Sequence, residues 1–137
     1  MSVVGTAAPS IDHAGVTIAD RVASFARRAP QRAAIEDGAA SLTYAELLAA
    51  ATRLAHVLAP MGIGTPGNVC LLFESRLGAI TSIVATAMSG HAFVPLDAGD
   101  PADRLRFVVE DCEPIAIVTE AALADRVRAV APDGVAR

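Results

Sequence analysis

Apolar residues recur at helical spacing along much of the chain, and short continuous apolar runs separate these stretches. Ile18, Val22, Phe25 and Ala29 mark one face of a first helix. Thr17 stands where its cap belongs, with Asp20 three positions on and Pro30 as its stop. Ala33–Glu36 reads as a short strand, Asp37-Gly38 as a turn and Ser41-Leu42 as the returning strand. The second helix carries the fullest local signal. Thr43 is its cap and Glu46 completes a capping box, while Leu42 and Leu47 form a hydrophobic staple across the same boundary. Leu47, Ala51, Leu54 and Leu58 follow on one face, and Pro60 and Gly62 end it.

Val69–Phe73 is apolar without alternation, as expected of a strand covered on both faces. A helix with Leu77, Ile80, Val84 and Met88 on one face runs to a stop at Gly90, and Ala92–Leu96 reads as the next buried strand. Asp100 is the expected cap of another helix, with Pro101 at its first position and Leu105, Val108 and Val109 as its core face. Ile115–Thr119 is a strand and Glu120–Val130 a last helix. Strands alternating with helices imply right-handed crossovers and a parallel sheet. The expected fold class is therefore α/β, a partial doubly wound and mostly parallel sheet with flanking helices. A helix and a small hairpin precede it. Residues 1–15 read as a flexible arm and residues 132–137 as a tail.

Composition narrows the chemistry. The 137 residues carry a net charge of −4, and all 11 basic residues are Arg. This mild acidity argues against a phosphate-backbone stripe, so no nucleic-acid partner is expected. Without Lys the chain has no Walker A lysine and no Schiff-base lysine. The same absence argues against a receiver domain of the flavodoxin type. Cys70 and Cys112 lie far apart without metal-ligand spacing, so zinc is not expected, and Cys70 reads as an inert buried thiol. The N-terminus lacks the features of a secretion signal. Leu77–Leu96 has no charged side chain and approaches membrane-spanning length, but Gly90 and Pro95 interrupt it. A helix followed by a strand accounts for it, and no membrane association is expected.

Candidate motifs have plain structural readings. Gly62-Ile63-Gly64-Thr65-Pro66-Gly67 spells G-x-G-x-x-G, but it follows a helix and precedes a strand. A dinucleotide fingerprint needs the reverse order, so that a helix N-terminus meets the pyrophosphate. His13, His56 and His91 are isolated, and each reads as a surface or turn residue. Asp97, Asp100 and Asp103 lack the spacing of a calcium loop and read as caps and first-turn residues. Glu110-Asp111 reads as a solvated helix end.

Two stretches carry a family resemblance. Leu42-Thr43-Tyr44-Ala45-Glu46-Leu47 resembles the first core motif of the amino-acid-activating adenylation domains of nonribosomal peptide synthetases. Ser89-Gly90-His91-Ala92-Phe93-Val94-Pro95-Leu96-Asp97 resembles the second, and Pro101–Leu105, running on to Glu110-Asp111, resembles the segment after it. Met88-Ser89 stand where the family commonly has Lys-Ala, and Phe93 where it has Tyr. The resemblance implies that residues 16–131 form an incomplete N-terminal subdomain of the adenylate-forming fold. It also implies a cytoplasmic ligase that joins ATP to a carboxylate with Mg, then passes the acyl group to a phosphopantetheine thiol. The family's phosphate loop, substrate pocket and catalytic Lys have no matching positions here. No catalytic, cofactor-binding or metal residue is therefore carried over, and the chain alone is expected to be inactive and to bind no cofactor.

Three functions follow as expectations. The first is an N-terminal fragment of an adenylation domain, partnered by the remainder of that domain or by another synthetase protein. The second is a non-catalytic interaction or scaffold module derived from such a domain, associating with a partner or with itself through an open sheet edge. The third is a small autonomous nucleotide-binding protein, with Ser75 and Asp100 opening the helices that would hold an anion.

Overall fold

The computed structural model describes residues 16–62 and 64–136. The expected arm, with His13, lies outside these residues, as does Ile63 of the glycine-rich segment.

Helix α1 (Ile18–Arg28) opens with a capping box: the Thr17 hydroxyl accepts from the Asp20 N–H at 3.1 Å, and the Thr17 N–H donates to the Asp20 carboxylate at 2.8 Å. Strands β1 (Ala33–Asp37) and β2 (Ala40–Thr43) pair antiparallel, with Gly38 in the left-handed region of the turn. Helix α2 (Tyr44–Leu58) repeats the box with Thr43 and Glu46, at 3.2 and 2.8 Å. Two orphan donors at each helix start are thereby paired. Both carboxyls, on Asp20 and Glu46, are held below their usual range, first by the cap's backbone N–H and then by its hydroxyl.

The remaining elements are β3 (Asn68–Phe73), α3 (Arg76–Met88), β4 (Ala92–Asp97), α4 (Ala102–Cys112), β5 (Ala116–Thr119) and α5 (Ala124–Val130), the last preceded by a 3-10 turn at Ala121–Leu123. β3, β4 and β5 form a parallel sheet in the order β4-β3-β5. The two faces of β3 explain its unbroken apolar run. Cys70 and Leu72 pack with Leu105, Val109, Ile117 and Val127 on the α4/α5 side. Val69 and Leu71 pack with Leu58 and Ile83 on the α2/α3 side. A third cluster, centred on Leu47, Ala51, Val84 and Ala85, joins α1, α2, α3 and the hairpin.

Three sequence expectations change. β4 is an edge strand: only Leu96 is buried, while Phe93 and Pro95 are exposed. A proline without an N–H is tolerated at such an edge. Pro101, not Asp100, is the α4 cap residue and makes no side-chain cap bond. The Asp100 carboxylate instead takes Arg104 at 3.3 Å. Ile18 is exposed, and the inward face of α1 is carried by Val22 with Phe25, whose ring stacks on Tyr44 at 4.9 Å. Beyond α5 the chain returns to the sheet, where Ala136 bridges Ala116 in parallel and its carbonyl accepts from the Ile117 N–H at 2.9 Å.

Candidate functional site

In a parallel sheet the ligand crevice lies outside the carboxyl ends of the strands, where connections diverge to opposite faces. Here that place is the gap between the ends of β3 and β5, opposite the α3 N-terminus. Glu120, just after β5, reaches across it: its carboxylate accepts from the Glu74 and Ser75 N–H groups at 2.7 and 3.3 Å. The hairpin supplies a second carboxylate, since Asp37 accepts from the Arg76 N–H at 2.8 Å. The Ser75 hydroxyl takes the Gly78 N–H at 3.2 Å. The Glu74, Ser75 and Arg76 N–H groups, which could help hold an anion at this helix start, are thus used by the chain's own acids. A nucleotide triphosphate brought here would meet two carboxylates and no lysine.

The aspartates at the end of β4 and the start of α4 are also committed. Asp97 accepts from the Gly99 N–H at 2.7 Å, Asp100 pairs with Arg104, and Asp103 pairs with Arg106 at 2.9 Å. Arg126 donates to the Ala98 and Asp100 carbonyls and ties this loop to α5. Among the described residues no group of three or more His, Cys, Asp or Glu is placed to hold a metal. The residues present therefore do not fit ATP phosphates or their Mg.

His91 stands in the turn after α3, as read from the sequence, but not at the surface. It is buried, its Nδ1 accepts from the Gly67 N–H at 3.1 Å, and its Nε2 faces the Leu58 carbonyl at 3.0 Å. A backbone N–H can only donate and a carbonyl only accept, so the ring is the neutral tautomer with its proton on Nε2. His91 thereby clasps the end of α2, the entry to β3 and the start of β4. The second motif's histidine is a fastening of the fold. Its spacing after Gly90 gave no sign of this, because both partners are distant in sequence. His56 is exposed on α2, as expected. The glycine-rich segment serves as the connector. Gly62 is left-handed, and a Cβ on Gly67 would lie 2.6 Å from the Ile115 side chain.

One apolar region is left open to solvent. Leu54, Val57, Leu58 and Met61 of α2 and its exit, with Val118, Thr119 and Ala136, line an apolar hollow of about 190 Å³ along β5. Val57 is 56 % exposed there. A second hollow, reaching Phe73, Leu77 and Thr81, shares Leu54, Val118 and Thr119 with it.

A three-stranded parallel sheet, a docked hairpin and helices on both faces recur in solved structures. The chain superposes with a TM-score of 0.80 and 26 % identity on the nonribosomal peptide synthetase FmoA3 bound to alpha-methyl-L-serine-AMP, over 88 % of this chain and 14 % of that one. It superposes on VinN with a TM-score of 0.75 and 26 % identity, over 87 % and 32 % of the two chains. The fold is that of the N-terminal domain of adenylate-forming enzymes. Residues 22–136 match the AMP-binding enzyme family, and the chain belongs to that family. Among curated relatives, isonitrile lipopeptide synthase of Mycobacterium tuberculosis is 40 % identical over 111 residues, which is 81 % of this chain and 4 % of the relative. Tyrocidine synthase 3 of Brevibacillus parabrevis is 33 % identical over 112 residues, 82 % of this chain and 2 % of the relative. The chain spans a few per cent of the length of these synthetases. No helix among the described residues is long and apolar enough to cross a membrane.

Proposed function

We infer that this chain is the N-terminal segment of an amino-acid-activating adenylation domain of nonribosomal peptide synthesis, acting in the cytoplasm once the remainder of the domain completes it. The remainder would supply the grip on ATP and Mg, the amino-acid pocket and the lysine that the sequence lacks. One observation carries the reading: the apolar hollow along β5 lies beside a sheet edge at which, among the described residues, only the Ala136 bridge pairs with β5. Uncovered strand groups beside exposed apolar area favour a further strand and helix at that place. Continuing the sheet there would bury Val57, Met61 and Val118 against the rest of the domain.

The test is amino-acid-dependent exchange of pyrophosphate into ATP. The chain alone is expected to give none. Joined in place of the equivalent segment of tyrocidine synthase 3, residues 16–136 are expected to support it. A correctly folded chimera without exchange would favour the alternative, a scaffold module derived from such a domain. Exchange by the isolated chain would overturn the dependence on a remainder.

A further inference from the structure

Cys70 and Cys112 are 42 positions apart, yet their Sγ atoms lie 3.3 Å from each other. Both are free thiols. We propose that they form a modification site: an intrachain disulfide made reversibly by exchange with a low-molecular-weight disulfide such as oxidised glutathione.

The placement is fixed from both sides of the pair. Cys70 sits in the centre of β3, fully enclosed. Cys112 is the last residue of α4 and is partly exposed. Two residues before Cys70, Asn68 holds the turn that carries Cys112. Its Nδ2 donates to the Cys112 carbonyl at 2.7 Å, and its own carbonyl accepts from the Ile115 N–H at 2.9 Å. Between these anchors Glu113 ends the helix in the left-handed region at φ 44°. The backbone at Cys112 is therefore tied to the backbone of β3 at a fixed distance from Cys70. A disulfide needs its sulfurs at about 2.0 Å, so side-chain rotation over roughly an ångström closes the gap. Besides Cys70, the Cys112 thiol has only the Val109 carbonyl of its own helix, at 3.6 Å, as a partner among the described residues.

The chemistry balances in two exchanges. The Cys112 thiolate attacks one sulfur of oxidised glutathione, breaking its S–S bond and releasing one glutathione thiol. Cys70 then gives up its proton and attacks the Cys112 sulfur of the mixed disulfide, releasing the second glutathione. Two protein thiols are oxidised and one small disulfide is reduced to two thiols. Burial, and then the hydrogen bond with Cys112, push the Cys70 thiol well above its ordinary range. The first attack therefore falls to the partly exposed Cys112, with Cys70 as the resolving sulfur. The bond would fasten the end of α4 to the central strand.

The purified chain is incubated with oxidised glutathione, alkylated and weighed intact, in native buffer and in urea. The expected product is lighter than the reduced chain by two hydrogens, takes up no alkylating agent and yields a peptide linking residues 70 and 112. Dithiothreitol restores both thiols. Because the sulfurs are pre-placed, the second exchange, in which Cys70 displaces glutathione from Cys112, is expected to be at least about tenfold faster in native buffer than in urea, read from the lifetime of the mixed disulfide. Cys70→Ser should stop with one glutathione on Cys112, and Cys112→Ser should form no intrachain bond. Equal rates in the two buffers, a stable glutathione adduct on the unsubstituted chain, covalent dimers, or two thiols that stay alkylatable would each overturn the proposal.

Discussion

The two faces of the parallel sheet have different degrees of completion. On the α4/α5 face, Leu72, Leu105, Val109, Ile117 and Val127 are each at most 2 % exposed, and Arg126 fastens α5 to the β4–α4 loop. On the α2/α3 face, Val69 and Leu71 are as deeply buried under α2 and α3, but the cover stops at β5. There Val57 is 56 % exposed beside the apolar hollow. The sheet side chains of the α4/α5 face are covered along β5 by α4 and α5, although Phe107 on the outer side of α4 is 68 % exposed, whereas the cover of the other face stops at β5. Burial contributes roughly 25 cal/mol per Å² of apolar surface, so the open end represents stabilisation that this segment does not collect. The difference is what the proposed reading, a segment continued by the rest of an adenylation domain, expects.

The largest effect should come from the closed face. Leu105→Ala empties a site with no exposed surface and should cost about 2–5 kcal/mol in urea unfolding. Val57→Ser, on the open face, should change the stability of the chain by less than about 0.5 kcal/mol. Comparable costs for the two would erase the contrast between the faces. His91→Ala comes next, because it leaves the Gly67 N–H and the Leu58 carbonyl unpaired near the α2/α3 face. Unfolding should register about 1–3 kcal/mol. A neutral result would mean that water replaces the ring and that this end of the face is also loose.

Thr43→Ala removes the hydroxyl half of the α2 capping box and should cost about 1 kcal/mol, read from the thermal midpoint. The smallest effect is in the acid limb. Asp20 and Glu46 have depressed carboxyl pKa values in the folded chain, so the unfolded chain takes up protons first as pH falls. Their contribution is complete above the unfolded carboxyl range, near pH 4, and disappears as pH drops through the folded values. Asp20→Asn with Glu46→Gln should flatten the fall in stability below about pH 4. An unchanged acid limb would place the loss outside the two capping boxes.

Local signals were legible in the sequence wherever the controlling partner was near in the chain. Thr17–Asp20, Thr43–Glu46 and the uninterrupted Val69–Phe73 run all read correctly because their partners are close by, or because burial on both faces leaves a continuous trace. Distant pairing left none. Nothing around His91 pointed to Leu58, nor around Cys70 to Cys112. The edge position of β4 depends on the strand order, which periodicity does not encode. Asp100 had the right chemistry for a cap, but Arg104 and the turn from Asp97 compete for it. The helix starts at Ser75 and Asp100 suggested an anion site in sequence. Folding brings Glu120 and Asp37 onto the α3 start and fills it.

Amide hydrogen exchange on the chain, alone and joined to the remaining length of a related adenylation domain, tests the central claim most directly. The account predicts that joining raises protection at Val118 and Thr119 of β5 and at the α2 exit around Met61. Protection of α4 and α5 should stay as it was. Unchanged exchange along β5, or new protection confined to the α4/α5 face, would contradict the reading of this chain as an adenylation-domain segment open at β5.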